Sequence, residues 1–365
     1  MGEKRRLILR TVPFLAIGIA VFIVYLMLTP VNIQEMIRVI RGANLLVYSL
    51  AVSALLLETS FFALSWHFFL IPLSVKVSLK RIFAYVWAGT FVDLLIPAES
   101  VSGELAKVYF MSKEPGTNPG KVVASLVSQR ILATFITATT LFVGFLLLLA
   151  LNYAVSAWML QILLLITIVS AAAFAFLVVM CVKEEWTERL VYAIMRLVER
   201  VYRGRFKLEK YQTRIITALR AFYTSLRLIG SNPHELVKPA LFYVLSWLSG
   251  IAIIFFVFAS IGYMETDTMI FVLKVVIVYT LMVSIKSIPL GVPAEVGLPD
   301  IIMTTLFILF TVPPDVSAAA TVMTRILTVW LRFAIGFVAL QWVGVKGLMD
   351  SGILGRSKSS KGDIC

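Results

Sequence analysis

Apolar residues run through this chain in long blocks divided by short polar connections. A helix needs about 20 apolar residues to cross ~30 Å of hydrocarbon at 1.5 Å per residue. Seven blocks reach that length: Leu7–Leu28, Asn44–Leu73, Val122–Leu151, Val155–Val182, Val237–Ile261, Met269–Ile288 and Val316–Val345. Two apolar pieces are too short to span alone: Ile82–Ile96, which ends at Pro97, and Ile301–Val312, which begins after Pro299. Each adjoins a break that contains proline, glycine and acidic residues.

Helical periodicity without a spanning length marks three further stretches. Within Pro30–Ala43, Ile33, Met36, Ile37 and Ile40 share one face, and Asn32 with Glu35 forms a capping-box-like start. This stretch is expected on the outer surface. In the connection 183–236, Leu190, Ile194, Val198 and Val201 line one amphipathic helix, and Ile215, Leu219, Phe222 and Leu226 line another. Both are expected to pack or lie at the interface.

Basic residues orient the blocks, since cytoplasmic connections carry the excess of Lys and Arg. Lys4, Arg5, Arg6 and Arg10 precede the first block, and Lys76, Lys80 and Arg81 follow the second. The 183–238 connection holds 12 Lys/Arg against 6 Asp/Glu. The connections 151–156, 262–268 and 311–317 carry no basic residue, and Arg38 and Arg41 are the exception on the outer side. Both termini are therefore expected in the cytoplasm, with the chain in the cell membrane. On this orientation the segment 82–111 enters and leaves on the inner side, and 269–312 enters and leaves on the outer side. The predicted fold is all-α: a polytopic transmembrane helical bundle with two oppositely oriented re-entrant hairpins in an inverted repeat. Repeat one covers about 82–151 and repeat two about 269–345.

Composition agrees with this class. Sixty per cent of the 365 residues are hydrophobic and 15% are charged, against about 45–50% and about 25% in soluble domains. The net charge of +13 falls at the membrane ends, where it faces anionic lipid, so no nucleic-acid partner is expected. Two cysteines, Cys181 and Cys365, and two distant histidines, His67 and His234, support neither a disulfide framework nor a metal site. No cofactor is expected. Oligomeric state is open, and a homo-oligomer is compatible with the sequence.

The two breaks resemble each other. Pro97-Ala98-Glu99 is followed by Glu104, and Pro293-Ala294-Glu295 by Asp300, each acid seven residues after its proline. Arg130 follows Pro97 by 33 residues, and Arg325 follows Pro293 by 32. Opposed copies of this kind are the signature of many transporters, whose half-helix N-termini point at anions. About nine residues into its block, each arginine lies roughly 14 Å deep, near mid-membrane. A charge there needs a partner or a cavity, and a guanidinium matches phosphate. Arg130 and Arg325 therefore either pair with Glu104 and Asp300 to hold the hairpins or bind a substrate phosphate. Glu99 and Glu295 either cap the hairpin tips or, together with Glu104 and Asp300, contact substrate amines or hydroxyls or exchange coupling protons. Glu58 and Asp93 are candidate proton sites or structural partners of Arg130 or Lys286, and Lys286 is also placed to reach the phosphate. Lys107 and Arg332 are expected to snorkel.

The run from Leu95-Ile96-Pro97 to Gly103-Glu104, with Lys107 after it, resembles the flippase-like transmembrane domain of lysylphosphatidylglycerol synthases. Pro289 to Asp300 is similar to the second segment of that family, and Arg130 and Arg325 fall where both of its repeats carry arginine. The likeness runs from about Asn44 to Val345. Ala294 and Glu295 stand where the family has a glycine pair, Lys107 replaces an arginine, and Asp300 replaces a glutamate. The resemblance implies a membrane lipid as partner and substrate, a phospholipid or a polyprenyl-phosphate-linked one. The chain stops about 20 residues past its last block, so the lipid-translocating half is expected rather than the synthase, and no enzyme. Two other readings stay open: an ion- or proton-coupled transporter of a small anion, and an intramembrane lipid-modifying enzyme.

Overall fold

The computed structural model describes residues 19–96, 101–151, 157–201, 209–286 and 297–350. Among these the regular structure is entirely helical. Among the described residues six helices are long and apolar enough to cross a membrane. They are α3 (Leu45–Leu70), α6 (Pro119–Ala150), α7 (Ala157–Val182), α10 (His234–Ser260), α11 (Thr268–Lys286) and the continuous rod that starts with α13 (Pro314–Arg325). That rod passes through a π-helical segment (Ile326–Leu331) into α14 (Arg332–Asp350). The first expected span is described from Ile19 on. There α1 (Ile19–Leu28) meets α2 (Ile33–Arg41) at a bend of 113°.

Capping fixes where these helices begin. Asn44 accepts from the amides of Leu46 and Val47, and Asn118 from that of Gly120. Asp267 accepts from Met269 and Ile270, and Asn32 from Gln34 and Glu35. Each cap satisfies amides that a helix start leaves unpaired. On α2 the apolar face is narrower than its periodicity predicts. Met36 is buried against α1 and α13, while Ile37 stays exposed.

The short pieces form α4 (Leu79–Leu95), α5 (Val101–Ser112) and α12 (Leu298–Leu309). At 1.5 Å per residue they measure about 25, 18 and 18 Å, less than the hydrocarbon thickness. The 19 residues of α11 suffice for a crossing by length. The breaks 97–100 and 287–296, with Glu99, Pro293 and Glu295, lie outside the described residues.

The most extensive pairing joins α3 to α10. Ser65 Oγ donates to Pro239 O and Ser246 Oγ to Glu58 O, each at 2.9 Å, and the Phe68 and Phe242 rings stack at 5.2 Å. Around this pair the other helices cross over. The first short helix α4 packs on α14, and α11 packs on α6. Small residues bring helices close where apolar attraction is absent. Gly336 of α14 lies against the Trp87 carbonyl of α4, and Gly144 of α6 against Ile277 of α11.

In the 183–236 connection, α8 (Glu184–Val201) and α9 (Glu209–Ser231) follow α7. Leu219, Phe222 and Leu226 of α9 pack on Ala124 and Val127 of α6 and on Cys181. The side chains of Leu190, Ile194, Val198, Val201 and Ile215 lie outside the described ones.

A methyl at Gly336 would sit 2.6 Å from the Trp87 carbonyl oxygen and 2.8 Å from Phe91 Cβ, whereas Gly344 has open space. Gly336→Ala is expected to cost about 1–3 kcal/mol of stability. Thermal unfolding in detergent should show a lowered Tm for Gly336→Ala and an unchanged one for Gly344→Ala.

Candidate functional site

The first charged cluster grows from the α4–α5 turn. Asp93, near the end of α4, accepts from the Ser102 hydroxyl at 2.6 Å and the Gly103 amide at 2.7 Å. It therefore caps α5 across the break. The approach is close enough that a Cβ on Gly103 would meet both the Asp93 carboxylate and the Gly89 carbonyl, so only glycine fits there. Glu104 follows in the first turn of α5. One turn on, Lys107 is buried, with its Nζ 5.2 Å from the Phe62 ring and 5.7 Å from that of Trp66. This corrects the expected snorkelling: the ammonium is held over aromatic faces of α3.

Arg130 comes from α6. Gln129 Nε2 donates to Phe62 O and Trp66 Nε1 to Ser125 Oγ, both at 3.0 Å. These bonds fix the rotation of α6 on α3. Arg130 Nη1 then lies 3.9 Å from Glu104 Oε1, with both side chains about one-third exposed (31% and 36%).

The second cluster is built differently. Asp300 sits in the first turn of α12 and accepts from the Gly297 amide at 2.6 Å, while Gly297 takes φ 97°, a left-handed conformation that glycine adopts freely. Its other oxygen lies 2.7 Å from Arg325 Nε, and both side chains are buried (8% and 6% exposed). Tyr48 of α3 donates to Met323 O at 2.9 Å, and Thr304 of α12 bonds Thr321 at 3.0 Å. These pin α13 just ahead of Arg325.

The π segment follows at once. Such wide turns recur at functional sites. At its far end Arg332 forms an ion pair with Glu58 of α3. This corrects two expectations: Arg332 does not snorkel, and the partner of Glu58 is neither Arg130 nor Lys286. Glu58, Tyr279, Lys286, Arg325, Thr328 and Arg332 line one cavity of about 120 Å³. Of the three cations there, Arg332 pairs with Glu58 and Arg325 with Asp300.

A larger cavity of about 540 Å³ lies beside it. Arg130, Thr134, Thr137, Ser170, Tyr243 and Ser284 supply its polar lining, and the Leu165, Val169 and Phe176 side chains of α7 are part of its apolar wall. Val283 borders both cavities. Among the described residues no group of three His, Cys, Asp or Glu is placed to hold a metal.

The structure thus brings Arg130 to Glu104, Arg325 to Asp300 and Lys286 to the Arg325 cavity, and makes Asp93 a helix cap. Glu99 and Glu295 lie outside the described residues. Sequence reasoning missed three features: Arg332 as a cavity residue, the Lys274–Glu265 pair (2.7 and 2.8 Å, Lys274 buried), and the contacts of Arg81 and Tyr85 with Glu114. Position gave a signal for two of them. Arg332 follows Arg325 by seven residues in an apolar run, and Lys274 is one of two cations in another, with Lys286.

Residues 14–336 match the family model of the lysylphosphatidylglycerol synthase TM region. The chain belongs to this family. Its relatives include a UPF0104 membrane protein of Methanothermobacter thermautotrophicus, 26% identical, with 89% of this chain and 93% of that protein covered. UPF0104 membrane proteins of Pyrococcus horikoshii (22%; 88% and 95% covered) and Methanocaldococcus jannaschii (23%; 85% and 88% covered) are also similar. This family member is a multi-pass membrane protein.

The two ion pairs differ in stability. Removing one partner of a buried pair strands a charge and costs about 3–5 kcal/mol, whereas exposed pairs contribute about 0.2–1 kcal/mol. Arg325→Ala should lower the unfolding temperature of the purified protein markedly, while Glu104→Gln should leave it within a degree or two.

Proposed function

We propose that this protein is a lipid translocase of the cell membrane, with both termini cytoplasmic, that carries a phosphate-bearing headgroup between its two arginines without making or breaking bonds. The observation that carries this reading is the pair of unequal arginine–carboxylate contacts beside adjoining cavities. The loose Arg130–Glu104 contact borders 540 Å³ of space. The Arg325–Asp300 contact is tight and buried. An anionic phosphate offers each guanidinium paired acceptors in place of one carboxylate. Handing the headgroup from Arg130 toward Lys286, Arg325 and Arg332 keeps its charge matched along the path.

The exchange of partners between α4–α14 and α11–α6 supports an inverted repeat of two opposed segments. Folds of that kind place substrate near mid-membrane and alternate its exposure. Glu104 and Asp300 then serve as resting partners of the arginines. The apolar wall that α7 gives the Arg130 cavity favours a lipid over a water-soluble cargo. The rival reading, carriage of a small anion, draws on the 120 Å³ cavity with its three cations.

Vesicles that contain the purified protein and headgroup-labelled phosphatidylglycerol test both. Loss of one charge-assisted contact of about 1.5–3 kcal/mol predicts transfer slowed about tenfold to 100-fold in Arg130→Ala or Arg325→Ala. Transfer unchanged in the double substitution overturns the reading. Uptake of inorganic phosphate without lipid transfer establishes the rival.

A further inference from the structure

An apolar groove of about 270 Å³ runs between α7, α11 and α12. Leu163 and Ile166 of α7, Ile277 and Leu281 of α11, and Ile302 and Leu309 of α12 form its walls. Thr305 is its one polar lining residue, and that hydroxyl is already engaged by the Ile301 carbonyl and the Tyr25 phenol, both at 2.7 Å. The groove therefore presents hydrocarbon alone. Isoleucine dominates the lining, and its stiff χ1 keeps such a surface shaped rather than collapsed.

The groove does not end blindly. Ile166 and Ile285 line both it and the cavity that holds Arg130. Down α7, Ile162, Leu163 and Ile166 face the groove, and Ser170, Ala173 and Leu177 face the cavity. A guanidinium compartment thus continues into a hydrocarbon compartment. A soluble anion leaves the groove without a use, and a plain hydrocarbon leaves Arg130 without one. An amphiphile with an anionic head and an aliphatic chain matches both.

We infer that the groove holds one hydrocarbon chain of a phosphate-bearing lipid whose headgroup sits at Arg130. This rests on the translocase reading and adds the place of the chain. Lipid tails are as apolar as leucine, so leaving the bilayer for this groove gains little from the hydrophobic effect. What the groove supplies is position. Between Ile277 and Ile285 it is about 12 Å long at 1.5 Å per residue, enough for part of one chain. A headgroup raised to Arg130 pushes its chain into the half of the membrane ahead of it. The groove lies there, so head and chain move in register.

Photo-crosslinking on the full chain in nanodiscs tests this, with phosphatidylglycerol that carries a diazirine in mid-chain. Label is expected in residues 162–166, 277–285 and 301–309 at several times its level on the exposed α3 face, residues 45–57. Arg130→Ala should reduce groove label about tenfold, the loss of one charge-assisted contact, and leave α3 label unchanged. Groove label no higher than α3 label, or insensitive to Arg130→Ala, overturns the inference. So does glycerol phosphate that competes as well as unlabelled phosphatidylglycerol. Arginine-dependent transfer in vesicles with an unlabelled groove leaves the translocase standing without this chain site. Transfer indifferent to both arginines removes the translocase itself.

Discussion

A charge or an unpaired amide in hydrocarbon costs several kcal/mol, and the interior of this protein is arranged around meeting that cost. Short helices expose free amides at their first turn. The two described starts solve this in different ways. At α5 the acceptor is borrowed from the preceding helix, with Asp93 reaching across to Ser102 and Gly103. At α12 it is internal, with Asp300 turning back to Gly297. That choice decides what else each carboxylate does. Asp93 is spent on the cap, so Glu104 remains for Arg130. Asp300 both caps and binds Arg325, which draws α13 onto α12 and buries the pair.

The difference in energy follows from the difference in burial. Two unit charges 4 Å apart attract by about 1 kcal/mol in water and by about 4 kcal/mol at an effective dielectric of 20. Arg130 and Glu104 lie at about that distance, with a third of each side chain exposed, so solvent screening keeps the pair near the lower figure. An incoming anion displaces it at little cost. Arg325 and Asp300 are closer and drier, and they separate only when something replaces both partners. In the proposed cycle the described geometry is therefore the state that receives at Arg130 and is closed at Arg325.

The features legible in the sequence are those that hydrocarbon makes conspicuous. Long apolar blocks became α3, α6, α7 and α10 with ends shifted by a few residues, because a spanning length leaves little freedom. Ions in or beside those blocks, such as Glu104, Arg130, Asp300 and Arg325, stood out because an ion there demands a partner. Partner choice was less legible, since it depends on how distant helices rotate against each other. Glu58 and Arg332 are 274 positions apart and meet only because α3 and the π segment come together. Lys107 was misread for a related reason. Snorkelling needs an open path along the helix, and Phe62 and Trp66 of α3 close it. The π segment itself leaves no mark in an apolar run, where any period buries equally well.

The segments that exchange partners would be near equals but for α7. That helix belongs to neither proposed repeat, packs on α6 and α11, and walls the Arg130 cavity while taking no part in the Arg325 cavity. Its face away from the cavity carries the exposed Leu164 and Ile168, as a wall against the bilayer requires. The result is about 540 Å³ beside one arginine and about 120 Å³ beside the other. A strictly symmetric carrier favours neither direction of exposure. One added helix that stabilises the open cavity on a single side supplies a bias, because a two-state equilibrium shifts by the interactions made in only one state. On the translocase reading, α7, which lies outside both proposed repeats, therefore sets which side the resting cavity favours.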